Sequence, residues 1–327
     1  MRNASAVALL MIGTAIINGC DTPQGGSAEL ASLGKTRERE IAARLANVDK
    51  GEDKSKPVAK WIMPHELREI SGMTLLDDGR ILAHDDEKSK IYVLDAREGI
   101  LLKSFTLGTG MRGDFEAITV AGPDIYLLSS KGVLFQFQEG ADGAAVPYTT
   151  IDMQTGKACE FESMVYAADS NWLVMPCKDS GGKKKNDKDL VIYRWKLGVP
   201  TAERLSKVTI PFAQLVGGNK WKSLHASDMT IDPTSGNFVV IASHEDALVE
   251  MTQSGKLVRA EALPHGHNQP EGIVITKDSL MMISDEATRK PAAITVYRWH
   301  PSAQPSRIQQ QTSIQQPDST QQPDSIQ

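Results

Sequence analysis

Several signatures of familiar chemistry are missing from the sequence. It contains no Gly-x-Ser-x-Gly elbow, no His-Glu-x-x-His pair, no phosphate-binding glycine-rich loop leading into a helix and no Cys-x-x-Cys. Nucleophilic catalysis therefore has no visible candidate. Positive charge is not in excess either: the formal net charge is −5, which argues against a nucleic-acid surface and leaves room for a cation. An EF-hand loop is absent, so any calcium site must be assembled from separate parts of the chain. There are only 3 cysteines, and no second pair of cysteines or histidines has the spacing of a zinc site. The N-terminal apolar run, Ala6 to Ile17, is too short to favour a membrane span.

That run has the makings of an export signal. Arg2 supplies the positive start, and Ile17-Asn18-Gly19-Cys20 follows with a small residue before the cysteine. The arrangement resembles a bacterial lipobox, which would make 1–19 a signal peptide and Cys20 the lipidated residue. Cleavage by an ordinary signal peptidase and a plain membrane helix are the alternatives. Acyl chains on Cys20, at about 0.8 kcal/mol per buried methylene, would hold the protein on a membrane. Asp21 resembles the signal that retains such lipoproteins on the inner membrane, facing the periplasm. Residues 20–57 read as a tether, with a weakly amphipathic helix around Arg37 to Leu45. The tail, 302–327, repeats Gln-Gln-Pro-Asp-Ser and has too few apolar residues to pack, so it is expected to be disordered.

Between these ends the chain repeats. Ile70-Ser71-Gly72-Met73, Phe115-Glu116-Ala117-Ile118, Phe161-Glu162-Ser163-Met164, Ala226-Ser227-Asp228-Met229 and Pro270-Glu271-Gly272-Ile273 share one register, at steps of 45, 46, 65 and 44 residues. A near-constant period of this length marks a repeat architecture. Each copy continues with short β-rich segments separated by Gly, Asp, Asn and Pro. In the first these are Gly72 to Leu76, Arg80 to His84, Ile91 to Asp95 and Leu101 to Thr106. Four antiparallel strands per repeat make a propeller blade. The fifth copy supplies three strands, and Lys60 to Pro64 could complete it and close the ring. The fold expected for 58–301 is therefore an all-β, five-bladed β-propeller. Six blades is the rival, should the long third step hide a degenerate copy, but its extra residues (Asp179 to Lys188, with a lysine cluster, and Pro211 to Lys222) read as insertions.

Cys159 and Cys177 lie symmetrically about Ala167-Ala168-Asp169-Ser170-Asn171, where a hairpin turn should fall. Antiparallel pairing about that turn opposes the two sulfurs, and in an oxidising periplasm a disulfide worth about 3 kcal/mol follows. Two unpaired buried thiols are the alternative.

In a propeller the first strand of each blade lines the channel, so residues in one repeat register face one another around the axis. That ring would hold Ser71, Glu116, Glu162, Ser227 and Glu271, with Glu69, Asp114, Glu160, His225 and Gln269 two residues earlier and Asp228 one later. Three glutamates converging in a narrow channel repel unless they are protonated or neutralised. Calcium, which takes 6 to 8 oxygen ligands in flexible geometry, would relieve this. The expected ligands are Glu116, Glu162, Glu271, Glu69, Asp228 and Asp285. The competing reading is that the glutamates bond backbone amides of neighbouring blades. The clusters Asp85-Asp86-Glu87 and Asp285-Glu286 could be outer ligands or turn caps. His265-Gly266-His267 reads as an exposed turn, and His225 is the candidate base.

Glu69-Ile70-Ser71-Gly72, His84-Asp85-Asp86-Glu87, Asp114-Phe115-Glu116, Cys159-Glu160-Phe161-Glu162, Cys177-Lys178, Ser227-Asp228, Gln269-Pro270-Glu271-Gly272-Ile273 and Ser284-Asp285-Glu286 together resemble the SdiA-regulated family of bacterial envelope proteins, over about residues 60 to 300. The resemblance implies a five-bladed propeller with a calcium site, distantly related to NHL-repeat propellers, and no established activity. Glu162-Ser163 and Glu116-Ala117 depart from the family pattern, where Gly or Asp would follow the glutamate. The expected function is a calcium-binding lipoprotein of the cell envelope, a binding or scaffold module for an unknown small-molecule or protein ligand. A calcium-dependent hydrolase of lactones, esters or phosphoesters is the alternative.

Overall fold

A computed structural model of the protein describes residues 24–50, 55–155, 158–179, 189–200 and 203–302. The expectations for the signal peptide, Cys20, Asp21, the lysine cluster and all but the first residue of the tail fall outside the described residues. Among those described, no helix is long and apolar enough to cross a membrane.

The chain opens with helix α1 (Gln24–Val48) and strand β1 (Ala59–Ile62), then forms five sheets. Blade 1 comprises β2 (Ile70–Leu75), β3 (Arg80–Asp85), β4 (Lys90–Asp95) and β5 (Leu101–Leu107). Blade 2 comprises β6 (Phe115–Ala121), β7 (Asp124–Ser129), β8 (Val133–Phe137) and β10 (Tyr148–Asp152), while the short β9 (Ala145–Val146) runs parallel to β5. Blade 3 comprises β11 (Glu160–Phe161), β12 (Val165–Ala167), β13 (Trp172–Asp179), β14 (Leu190–Lys196) and β15 (Leu205–Ile210). Blade 4 comprises β16 (Asp228–Ile231), β17 (Phe238–Ala242), β18 (Ala247–Met251) and β19 (Leu257–Ala262). Blade 5 comprises β20 (Pro270–Ile275), β21 (Leu280–Asp285) and β22 (Ala293–Arg298), with β1 paired antiparallel to β22 as its outer strand, Ala59 opposite Val296 and Ile62 opposite Ala293. The fold is thus an all-β, five-bladed propeller, and among the described residues the long third step contributes no sixth blade.

Alternation along the strands explains the packing. The middle strands of each blade have apolar residues on both faces, and the faces of adjacent blades form five inter-blade cores. Between blades 1 and 2, for example, Leu82, Ile91, Val93 and Phe105 meet Phe115, Ile118 and Leu127. Each such side chain contributes roughly 1.5–3 kcal/mol when fully buried. The tether residues are more engaged than a solvated spacer. Ile41, Leu45 and Val48 fall on one face of α1 and join the core between blades 5 and 1. Arg37 Nη1 donates to the carbonyls of Glu98 (2.7 Å) and Gly99 (3.0 Å). Gly99 is obligatory at that contact: its φ is +62°, and a Cβ would stand 2.1 Å from the Trp61 ring.

The Cys159–Cys177 disulfide is formed, with Cα atoms 5.5 Å apart. Phe161 pairs with Cys177, so the bridge fastens the start of the inner strand of blade 3 to its neighbour.

Candidate functional site

One structural device recurs where each inner strand begins. The register of β2 against β3 slips between Ile70 and Met73, that of β6 against β7 between Phe115 and Ala117, and that of β20 against β21 between Pro270 and Gly272. Ser71, Glu116 and Glu271 therefore sit in β-bulges, which re-aim a side chain at the end of a strand. Glu162 lies in the break between β11 and β12, and in blade 4 Ser227 donates its N–H to Ile241, which also pairs with Asp228. The repeat register recognised in the sequence is thus a register of bulges.

A second set of positions completes the mouth. In blade 1 the Asp86 N–H donates to the Glu69 carbonyl (3.2 Å), in blade 2 Ser130 to Asp114 (3.0 Å), and in blade 5 Glu286 to Gln269 (3.0 Å). Ala287 N–H of blade 5 also donates to the Arg68 carbonyl of blade 1 (2.9 Å), which sets Glu286 beside Glu69. As a result, carboxylate oxygens of Glu69, Asp86 and Glu286 lie within 4.8 Å of one another. Gln269 Nε2 donates to Glu286 (2.5 Å), and Arg68 approaches Glu69 at 3.1 Å from the solvent side. Among the described residues, Asp86 Oδ1 is buried and has no hydrogen-bond partner.

The electrostatics match this crowding. Burial, a hydrogen bond with Glu69 and the charges of Asp86, Glu69 and Glu271 push the Glu286 carboxyl up to about 8. Burial and the Glu69 charge push Asp86 up to about 6. Across the channel, burial followed by the charges of Glu162 and Asp114 pushes Glu116 up to about 9. Burial pushes Glu162 up to about 7, against the pull of Lys178, whose ammonium is hydrogen-bonded to it. Burial also raises Glu271, with Asp86 and Asp285 adding to the effect and Lys178 opposing it. Lys178 is thus a tethered counter-ion for one side of the ring. Burial alone would lower its own pKa, but Glu162, Glu271 and Glu160 outweigh that and raise it.

Two of the expected ligands already accept several hydrogen bonds. Asp228 is buried and bonded on all sides: its Oδ1 accepts from Ser163 Oγ of blade 3 (2.8 Å) and from its neighbour Met229 N–H (2.8 Å), and its Oδ2 from Ile273 N–H of blade 5 (2.7 Å). This is the bonding of a lock between three blades. Asp285 accepts from His267 Nδ1 (2.7 Å), Asn268 N–H (2.8 Å) and Gln269 N–H (3.3 Å), which holds its carboxyl below the usual range despite burial. Asp85 instead caps the turn that follows its own strand, through Glu87 N–H (3.2 Å) and Lys88 N–H (2.9 Å). In both second-strand clusters the first carboxylate accepts backbone N–H groups, and the next, Asp86 or Glu286, joins Glu69 in the convergent group. Sequence reasoning named both clusters without separating these roles. His267 is not an exposed turn residue: its side chain is 3% exposed and its Nε2 also meets Tyr297 Oη at 2.9 Å. His225 stands apart, paired with Glu245 on blade 4.

The opposite end of the inner strands opens into a cavity of about 410 Å³ lined by Thr74, Thr119, Tyr166, Thr230 and Thr276, with the turn carboxylates Asp77, Asp78 and Asp278. The carboxylates that are raised together lie at the other mouth, and that is where we place the candidate site.

Fold and site define a class: a five-bladed β-propeller whose channel is rimmed at one mouth by buried, mutually repelling carboxylates. The SdiA-regulated family model matches residues 213–321, so the resemblance read from the repeat motifs holds across blades 4 and 5. No curated protein matches the sequence. Among solved structures, the chain is similar to glutaminyl cyclase from Myxococcus xanthus, at 13% identity and a TM-score of 0.51, with 74% of this chain and 94% of that one covered. A luciferin-regenerating enzyme aligns at 8% identity and a TM-score of 0.46, covering 76% and 98%. Virginiamycin B lyase from Staphylococcus aureus aligns at 12% identity and 0.40, covering 73% of each. At these identities the likeness is one of fold.

Proposed function

We propose that the protein is a calcium-binding propeller of the cell envelope, held on a membrane through Cys20, in which the metal organises the acidic channel mouth as a binding or scaffold surface. The carrying observation is the convergence of Glu69, Asp86 and Glu286 within 4.8 Å, with Asp86 Oδ1 buried and unpartnered. A buried carboxylate oxygen without a donor is costly, and a cation supplies what it lacks. The donor set is all oxygen and carries several negative charges, which suits a hard cation of flexible coordination. The charge of Glu271 acts on Glu286, and that of Asp86 on Glu271. The charges of Glu116 and Glu162 are partly offset by Lys178.

A binding role is favoured over hydrolysis because the candidate base, His225, is grouped with Glu245 and His244, not with the convergent carboxylates. The test is calorimetric titration of the full chain with calcium. Wild-type protein should take up the ion, and Glu286→Gln and Asp86→Asn should each weaken it at least tenfold. Unchanged affinity in both variants would remove the assignment.

A further inference from the structure

The repeat positions that carry three carboxylates in blade 1 carry two imidazoles and one carboxylate in blade 4. His225 occupies the place of Glu69, and Glu245 that of Asp86, while His244 precedes Glu245 in the turn Ser243–Glu245 that follows β17. Their ligand atoms lie within 4.8 Å of one another. From this juxtaposition we propose a second metal site on blade 4, formed by His225 Nδ1, His244 Nδ1 and Glu245 Oε1, which takes a borderline transition-metal ion such as zinc and is independent of the calcium site.

The geometry is close to what such an ion requires. Ligands about 2.0–2.1 Å from a tetrahedral zinc stand about 3.3–3.4 Å apart. His244 Nδ1 lies 3.3 Å from Glu245 Oε1, while His225 Nδ1 lies 2.6 Å from the same oxygen, so that edge must open by about 0.7 Å, and the ligand atoms of all three residues lie within 4.8 Å of one another. The two imidazole rings meet edge to face with centroids 5.2 Å apart, which leaves both Nδ1 atoms able to converge on one point.

The site is also built rather than assembled from loose surface groups. The Glu245 side chain is only 5% exposed, and it accepts from Ser223 Oγ (2.9 Å) and His225 N–H (3.0 Å) as well as from the rings. Such outer bonds orient a ligating carboxylate. The turn is pinned by Ser243 N–H to Ser227 Oγ (3.1 Å) and closed by Asp246 at φ +48°. The His244 side chain is 78% exposed, so the site is open to solvent. Two imidazoles and one carboxylate suit zinc better than calcium, whose ligands are oxygens, so the ring sorts metals by blade.

The test uses tag-free, full-length protein saturated with calcium and titrated with zinc against a chromophoric chelator. Cobalt absorption serves as a second readout of a four-coordinate nitrogen–oxygen site. One equivalent should bind with micromolar or tighter affinity. His244→Gln, on an exposed side chain, and His225→Gln should each weaken it at least tenfold and abolish the cobalt bands. Glu286→Gln should leave zinc binding unchanged, which separates failure of this site from failure of the calcium site. A cooperative thermal unfolding midpoint within a few degrees of wild type, measured without added metal, shows that His244→Gln is folded. Absence of a zinc equivalent in wild-type protein, or unchanged affinity in folded His244→Gln, overturns the proposal.

Discussion

Calcium binding at the blade 1–blade 5 group should expel protons, and the number is fixed by the two shifted carboxyls. A metal takes only the ionised form, so a carboxyl held protonated at working pH must release its proton on binding. With Glu286 pushed up to about 8 and Asp86 up to about 6, about nine-tenths of a proton sits on Glu286 at pH 7 and about one-tenth on Asp86. Binding should then release about one proton at pH 7, about one and a half at pH 6 and about a tenth at pH 9. Apparent affinity should rise about tenfold per pH unit near neutrality and level off above about pH 9. The sign is the reverse for the metal-free protein. Carboxyls whose folded values lie above the unfolded ones favour the folded state at acid pH, and that contribution is lost as pH rises from about 4.5 through 8 to 9. Calorimetry in buffers of different ionisation enthalpy counts the protons. Release near zero at pH 7, or an affinity independent of pH between 6 and 8, would refute the reasoning.

Removing the inter-blade lock should cost stability without removing the metal. Asp228→Ala leaves the buried Ile273 and Met229 N–H groups unpaired and should lower the unfolding free energy by about 2–4 kcal/mol in a denaturant titration, with calcium still bound. Lys178→Met withdraws the tethered counter-ion from Glu162, Glu116 and Glu271. The metal-free midpoint should fall and the calcium-induced thermal shift should grow. Cys159→Ser with Cys177→Ser should cost about 3 kcal/mol, read from denaturation under non-reducing conditions.

The repeat was legible because the bulge residue, the following apolar strand and the turn recur at nearly equal steps, and turn chemistry at Asp77-Asp78-Gly79 and similar places marks the strand ends. Expected strands such as Arg80 to His84 and Ala293 to Trp299 fall within a residue of the observed ones at each end. The carboxylates were legible as a class but not by role, because Asp85 and Asp86 differ in no sequence property. Only the turn they close decides that one accepts backbone N–H groups and the other is left with a buried, unpartnered oxygen. Asp228 looked like a ring ligand by register, yet its oxygens are met by Ser163 and Ile273, residues from adjacent blades whose proximity no spacing reports. His225 and His244 escaped the zinc-spacing argument because the distance between them in sequence reflects a whole hairpin, whereas the bulge and the turn bring them together in space.

Calcium at the acidic mouth can be located in a crystal grown with the ion, from the anomalous signal of the metal. One ion should lie between blades 1 and 5, bound by carboxylate oxygens of Glu69, Asp86 and Glu286. An ion held instead by Asp228 or Asp285, or no ion at the acidic mouth at saturating calcium, would contradict this placement.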